Sequence, residues 1–158
     1  MKFSRLFLLA LIPVAFVLST NSSNAQESVA PDGQFGIWAG TGGFGIAYAI
    51  APNIQLGTGF GLVLGDSPTT IAISPYGKFL LEGTVNPYIL VALQITAVED
   101  QDSRTDLRGA FGLDYYISPN VGVFGHITLI DLHLSPDPSS SNFGIGLSGQ
   151  AGVEWFFN

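Results

Sequence analysis

From Phe143 to Phe157 the apolar residues fall on every second position. Phe143, Ile145, Leu147, Gly149, Ala151, Val153, Trp155 and Phe157 make one face, and Gly144, Gly146, Ser148, Gln150, Gly152, Glu154 and Phe156 make the other. A period of two sends successive side chains to opposite sides of an extended chain, so this stretch reads as a strand with one greasy side. The same alternation runs through 107–117 and 54–64. These segments exceed the usual strand of about five or six residues.

A helical reading fails on the same residues. No charged residue lies between Asp32 and Asp66, so the stretch 44–64 is greasy enough for a membrane helix. It also carries Pro52, Asn53, Gln55 and glycines at 45, 57, 59 and 61. A central proline costs a helix about 3 kcal/mol or more, and no stripe of 3.6-residue period is present. Composition agrees: hydrophobic residues make up 47% and charged ones only 11% of the 158 residues, against roughly 25% charged in a soluble domain.

The chain begins as a secretory leader does. Lys2 and Arg5 precede an apolar run over 6–18, and Ser23-Asn24-Ala25 is close to a small-residue cleavage pattern. The expectation is a signal peptide over 1–25, cleaved after Ala25, and a single barrel domain over 26–158. An apolar core this short falls below the ~20 residues that span a bilayer as a helix. Cleavage removes two of the five basic residues and none of the twelve acidic ones, leaving a net charge of −9. Such a polyanion is a poor partner for nucleic acid, whose phosphates call for Lys and Arg. With no cysteine, disulfides and thiolate metal sites are excluded.

Turn signals divide the rest into eight segments, expected at 34–41, 44–50, 54–64, 70–81, 87–98, 105–117, 121–131 and 143–157. Pro52-Asn53 and Pro119-Asn120 each stand between an aromatic-ended strand and a new alternating one, and the stretch from Glu82 to Pro87 is a looser version. These tight turns follow the second, fourth and sixth segments. The connections at 65–69, 99–104 and 132–142 are longer or more polar, while the first, near 41–43, is very short. Short turns at one end and longer loops at the other is the layout of transmembrane barrels, whose strands need about 9–11 residues. Phe35, Tyr48, Phe79, Tyr88, Tyr115, Trp155 and Phe157 fall near the turn ends, where an interfacial girdle of aromatics belongs.

The C-terminus, Gln150-Ala-Gly152-Val-Glu-Trp155-Phe-Phe157, resembles the assembly signal of the OmpA/OmpX-like family of eight-stranded outer-membrane barrels. One departure is Asn158, which follows the final aromatic. The resemblance implies an all-β, up-and-down antiparallel transmembrane barrel in the outer membrane of a Gram-negative bacterium. It also implies lipid and the barrel-insertion machinery as partners. Activities in the family range from structural anchoring to adhesion and lipid hydrolysis.

With the greasy faces outward, the alternate faces line a lumen. Lys78, Glu82, Asp106, Arg108, Asp114, His126 and Glu154 fall there, with Gln55, Tyr76, Gln94 and Tyr116. An outward Lys or Arg at a bilayer midplane would cost about 2–4 kcal/mol, so charge on one face is what a lipid-clad exterior demands. Eight strands leave an interior that side chains just fill. The expectation is a polar plug, with Lys78 and Arg108 bridged to several of Glu82, Asp106, Asp114 and Glu154. Swapping those pairs would make a small-conductance channel, the first alternative.

A lipid-modifying enzyme is the second. Gly125-His126-Ile127-Thr128 resembles the His-x-Ser of outer-membrane lipid A deacylases. Its hydroxyl belongs to Thr128, its parity points inward, and no orienting acid is identifiable, so an ordinary lumen histidine is expected. The carboxylates at 99–106 lack the glycine and terminal glutamate of an EF-hand loop and read as a solvated acidic loop. The stretch 132–142, with Pro136, Pro138 and four serines, reads as a flexible surface loop. The sequence therefore points to a monomer without cofactor, metal or catalytic site, structural or interactive in role.

Overall fold

The computed structural model describes residues 31–64, 68–135 and 141–157. The expected leader over 1–25 and parts of two loops lie outside the described residues. Eight strands follow one another: β1 (Phe35–Gly40), β2 (Gly43–Ala51), β3 (Ile54–Val63), β4 (Thr70–Leu80), β5 (Asn86–Val98), β6 (Arg104–Ser118), β7 (Val121–Ser135) and β8 (Ser141–Phe157). Each pairs antiparallel with the next, and β8 returns to β1 through Phe35↔Phe157 to Gly40↔Gly152. The sheet closes on itself. Closure leaves no strand edge exposed along these ladders, which is why so many apolar strands can share one sheet.

The expected strands all form, with bounds shifted by a residue or more. The largest shift lengthens β7 to Ser135 and starts β8 at Ser141, which narrows the surface loop expected at 132–142. The sequence echo between the two Pro-Asn turns is a structural echo as well. Ala51 pairs with Ile54 and Ser118 with Val121, and a bulge precedes each turn on its incoming strand. The brief first connection is a two-residue hairpin in which Gly40 faces Gly43. Gly43 has φ +125°, and a Cβ there would run into the Phe60 carbonyl, so glycine is required. Pro75 sits inside β4, and the β4–β5 register passes from Ile73 to Tyr76 without pairing it, as a residue with no N–H demands.

Outward positions are greasy on every strand. Ile37, Ile46, Leu56, Ile73, Val91, Leu113, Ile127 and Val153 are each exposed. At the end that carries the β2–β3, β4–β5 and β6–β7 turns, Phe35 packs on Tyr48 at 4.5 Å between ring centroids, and Trp155 on Phe157 at 5.4 Å. Tyr88 departs from the expected girdle. It is 1% exposed and points inward, because its place in β5 shares parity with Leu90 and Ala92 rather than with Ile89.

Candidate functional site

The chemistry-bearing side chains converge in the lumen. Its turn-end half is packed solid: Ala47, Ala49, Leu80, Tyr88, Tyr116 and Phe156 form one buried cluster, with Gln55 fully buried beside it. Glycines on neighbouring strands make the rings fit. A Cβ at Gly112 would lie 2.7 Å from the His126 Cβ and press into the Tyr88 ring, and one at Gly36 would lie 2.9 Å from Phe156.

Above that cluster Lys78 ties the barrel together. Its Nζ lies 3.1 Å from Glu154 Oε2 on β8 and donates to Asp114 on β6. It also stands 4.7 Å from the ring centre of Tyr88 on β5 and 5.6 Å from that of Phe124 on β7. One ammonium on β4 thus reaches four other strands. The second Glu154 oxygen accepts from the Tyr116 hydroxyl, which itself accepts from Gln55 Nε2 at 2.8 Å. Lys78, Asp114 and Glu154 are 4%, 0% and 3% exposed, so each charge depends on its partners rather than on water.

A second set of charges rims the opposite end. Arg104 Nε donates to both oxygens of Asp106 at 2.8 Å, and His133 Nδ1 lies 2.9 Å from Asp106 Oδ1. Arg108 pairs with Asp131 at 3.2 Å and donates to Gln94. The charges expected inside are therefore not one network. Lys78, Asp114 and Glu154 meet; Asp106 and Arg108 sit nearer the rim with partners of their own. Glu82 joins neither group: it lies past the end of β4, exposed in the turn, because the strand stops at Leu80.

Sequence reasoning missed Asp131 and His133 as lumen groups. Up to Thr128 the inward residues of β7 are even-numbered, but Thr128 pairs with Ala110 and Ile130 with Gly109, so one extra residue is inserted. A bulge of this kind reverses the faces of everything beyond it. The signal was present: the polar residues switch from 126 and 128 to 131 and 133. Trp38 and Phe124, which meet edge to face at 5.9 Å, were overlooked because aromatics on a polar face look out of place.

Between floor and rim the lumen is open. A cavity of about 290 Å³ lies over Lys78 and Glu154, bounded by Trp38, Tyr76, Phe124 and Arg108. The plug expected to fill the whole interior occupies only the turn-end half. At the cavity wall His126 Nδ1 lies 2.9 Å from the Tyr88 hydroxyl, and Thr128 accepts a hydrogen bond from Ser148 at 2.9 Å. The imidazole is thus oriented by a phenol, and the neighbouring hydroxyl is held by a serine. No group of three or more His, Cys, Asp or Glu suited to a metal occurs among the described residues. The residues quoted for the terminal signal split by parity: Trp155 and Phe157 are exposed, and Gln150 and Gly152 face the lumen side.

The lumen and its closed sheet define the class of the protein, an eight-stranded antiparallel β-barrel with a partly filled polar interior. Compared with protein-family models, with curated proteins and with solved structures, the chain matches none.

Proposed function

We propose that this barrel is a small outer-membrane protein of a Gram-negative bacterium, exported through a cleaved leader and structural or surface-interactive in role. One observation carries the reading. Each of the eight strands exposes apolar side chains on its outer face, while the strand charges (Lys78, Arg104, Asp106, Arg108, Asp114, Asp131 and Glu154) point to the lumen side. Water does not stabilise such an exterior, and a soluble protein rarely leaves an apolar patch beyond a few hundred Å² uncovered. Acyl chains do. The aromatic pairs at the turn end fit the interface between acyl chains and headgroups. The terminal resemblance supplies the route, with Gln150, Gly152, Trp155 and Phe157 read by the insertion machinery.

The test is fractionation of expressing cells, followed by electrophoresis with and without boiling. The reading expects the protein in the outer-membrane fraction and a folded band that shifts on heating. A soluble protein whose migration ignores boiling overturns it.

A further inference from the structure

We infer that the loop-side half of the lumen is a binding site for a small, uncharged aromatic molecule. The inference stands on the lumen itself and holds whatever surrounds the barrel.

Volume comes first. An eight-stranded barrel has an interior that side chains fill, and the turn-end half of this one is filled. The loop-side half is emptied by small inward residues: Gly59, Ala72, Ser74, Ala92 and Ala110 all border the space. A dry cavity of about 150 Å³ already takes a benzene ring. The lumen's 290 Å³ is nearly twice that, room for one substituted ring.

Charge comes second. The charged residues that border the cavity are Lys78, Arg108 and Glu154, and each already has an opposite partner: Asp114 and Glu154 for Lys78, Asp131 for Arg108. An entering anion would shed water and meet no free cation, and an entering cation would have to compete with Lys78 for Asp114 and Glu154 and leave its ammonium uncompensated. A neutral molecule pays neither penalty. Groups suited to it are present. Ser74 and the Gln150 amide border the space without a hydrogen bond to another side chain among the described residues. Trp38, Tyr76 and Phe124 offer ring edges and faces, the geometry in which aromatic groups pair.

Three probes of one size and different charge test this: benzyl alcohol, benzoate and benzylammonium. The full chain carrying Trp155→Phe keeps Trp38 as its single tryptophan, beside the cavity. In the refolded barrel, benzyl alcohol should change Trp38 emission saturably, with both ions at least about tenfold weaker. Filling the space by Ala110→Phe, or separately by Ala92→Leu, should weaken benzyl alcohol by about tenfold or more while the heat-shifted band persists. Should both variants fail to fold, nuclear Overhauser contacts between the probe and the Leu90 and Ala92 methyls in the unfilled barrel decide the matter. Their presence supports the site and their absence overturns it. A linear response shared by filled and unfilled barrels overturns it too, as does equal binding of the three probes.

Discussion

Lys78 and Glu154, 76 residues apart in the chain, meet across the lumen with Nζ 3.1 Å from Oε2. Their contact joins β4 to β8, strands that share no backbone ladder, and Asp114 on β6 completes the group. Taking one member out of a buried ion cluster leaves the others uncompensated, at a cost of about 3–5 kcal/mol. Lys78→Met is therefore expected to destabilise the barrel by about that amount, read as a lower urea midpoint of the refolded protein. Adding Asp114→Asn and Glu154→Gln should recover most of the loss, because neutral groups need no counter-charge. A triple variant no better than the single would show that Lys78 acts through packing.

Glu82 supplies the contrast. It is exposed in the β4–β5 turn, and surface changes away from special features usually stay within about 0.5 kcal/mol. Glu82→Gln should leave the urea midpoint where it is, while Asp114→Asn lowers it. A large effect at Glu82 would mean that the turn folds back towards Lys78.

The glycines divide the same way. Gly112→Ala places a methyl 2.6 Å from the Gly125 carbonyl and into the Tyr88 ring. Overpacking of this kind costs about 1–3 kcal/mol. At Gly109 the nearest atoms are the Ile130 side chain, at 3.4–3.7 Å, which is ordinary contact. Gly109→Ala should be neutral or gain about 0.4–1 kcal/mol by restricting the unfolded chain. The two midpoints, measured together, check whether small lumen residues are there for Tyr88.

Strand number, antiparallel order and the Pro-Asn turns were legible because each depends on local pattern: a period of two, then a residue pair that reverses the chain. The Lys78–Asp114–Glu154 group was legible in part, since parity alone put all three on the inner face. Parity carries no height, however. It could not tell that Asp106 and Arg108 lie nearer the rim, or that β4 ends before Glu82. Nor does a strict alternation survive the bulge after Thr128, which brings Asp131 to Arg108. The cavity was illegible for a related reason. Small residues on four different strands become neighbours only once the register between the strands is set.

That bulge can be read directly. Spin labels placed singly along β7 should favour collision with lipid-soluble oxygen at Ile127, and with a water-soluble nickel chelate at Asp131 and His133. Along β8 the oxygen-favouring positions should stay odd, at 151, 153 and 155, with Gln150 and Glu154 opposed. An unbroken odd–even alternation through β7 would place Asp131 outside and contradict its pairing with Arg108.

Any conduction would depend on the turn end. The rings of Tyr88, Tyr116 and Phe156 and the Gln55 amide are almost wholly buried there, below the cavity. An ion crossing the lumen would have to displace this cluster. The wild-type barrel should therefore be silent in planar bilayers, although half of its lumen is open. Removing two rings by Tyr116→Ala with Phe156→Ala should give discrete current steps, provided the variant still shows its heat-shifted band. Lys78→Met alone should give none, because the rings remain. Steps in the wild-type protein would favour the small-channel reading and place the moving part among these rings. Steps in Lys78→Met alone would assign the closure to the ion cluster instead.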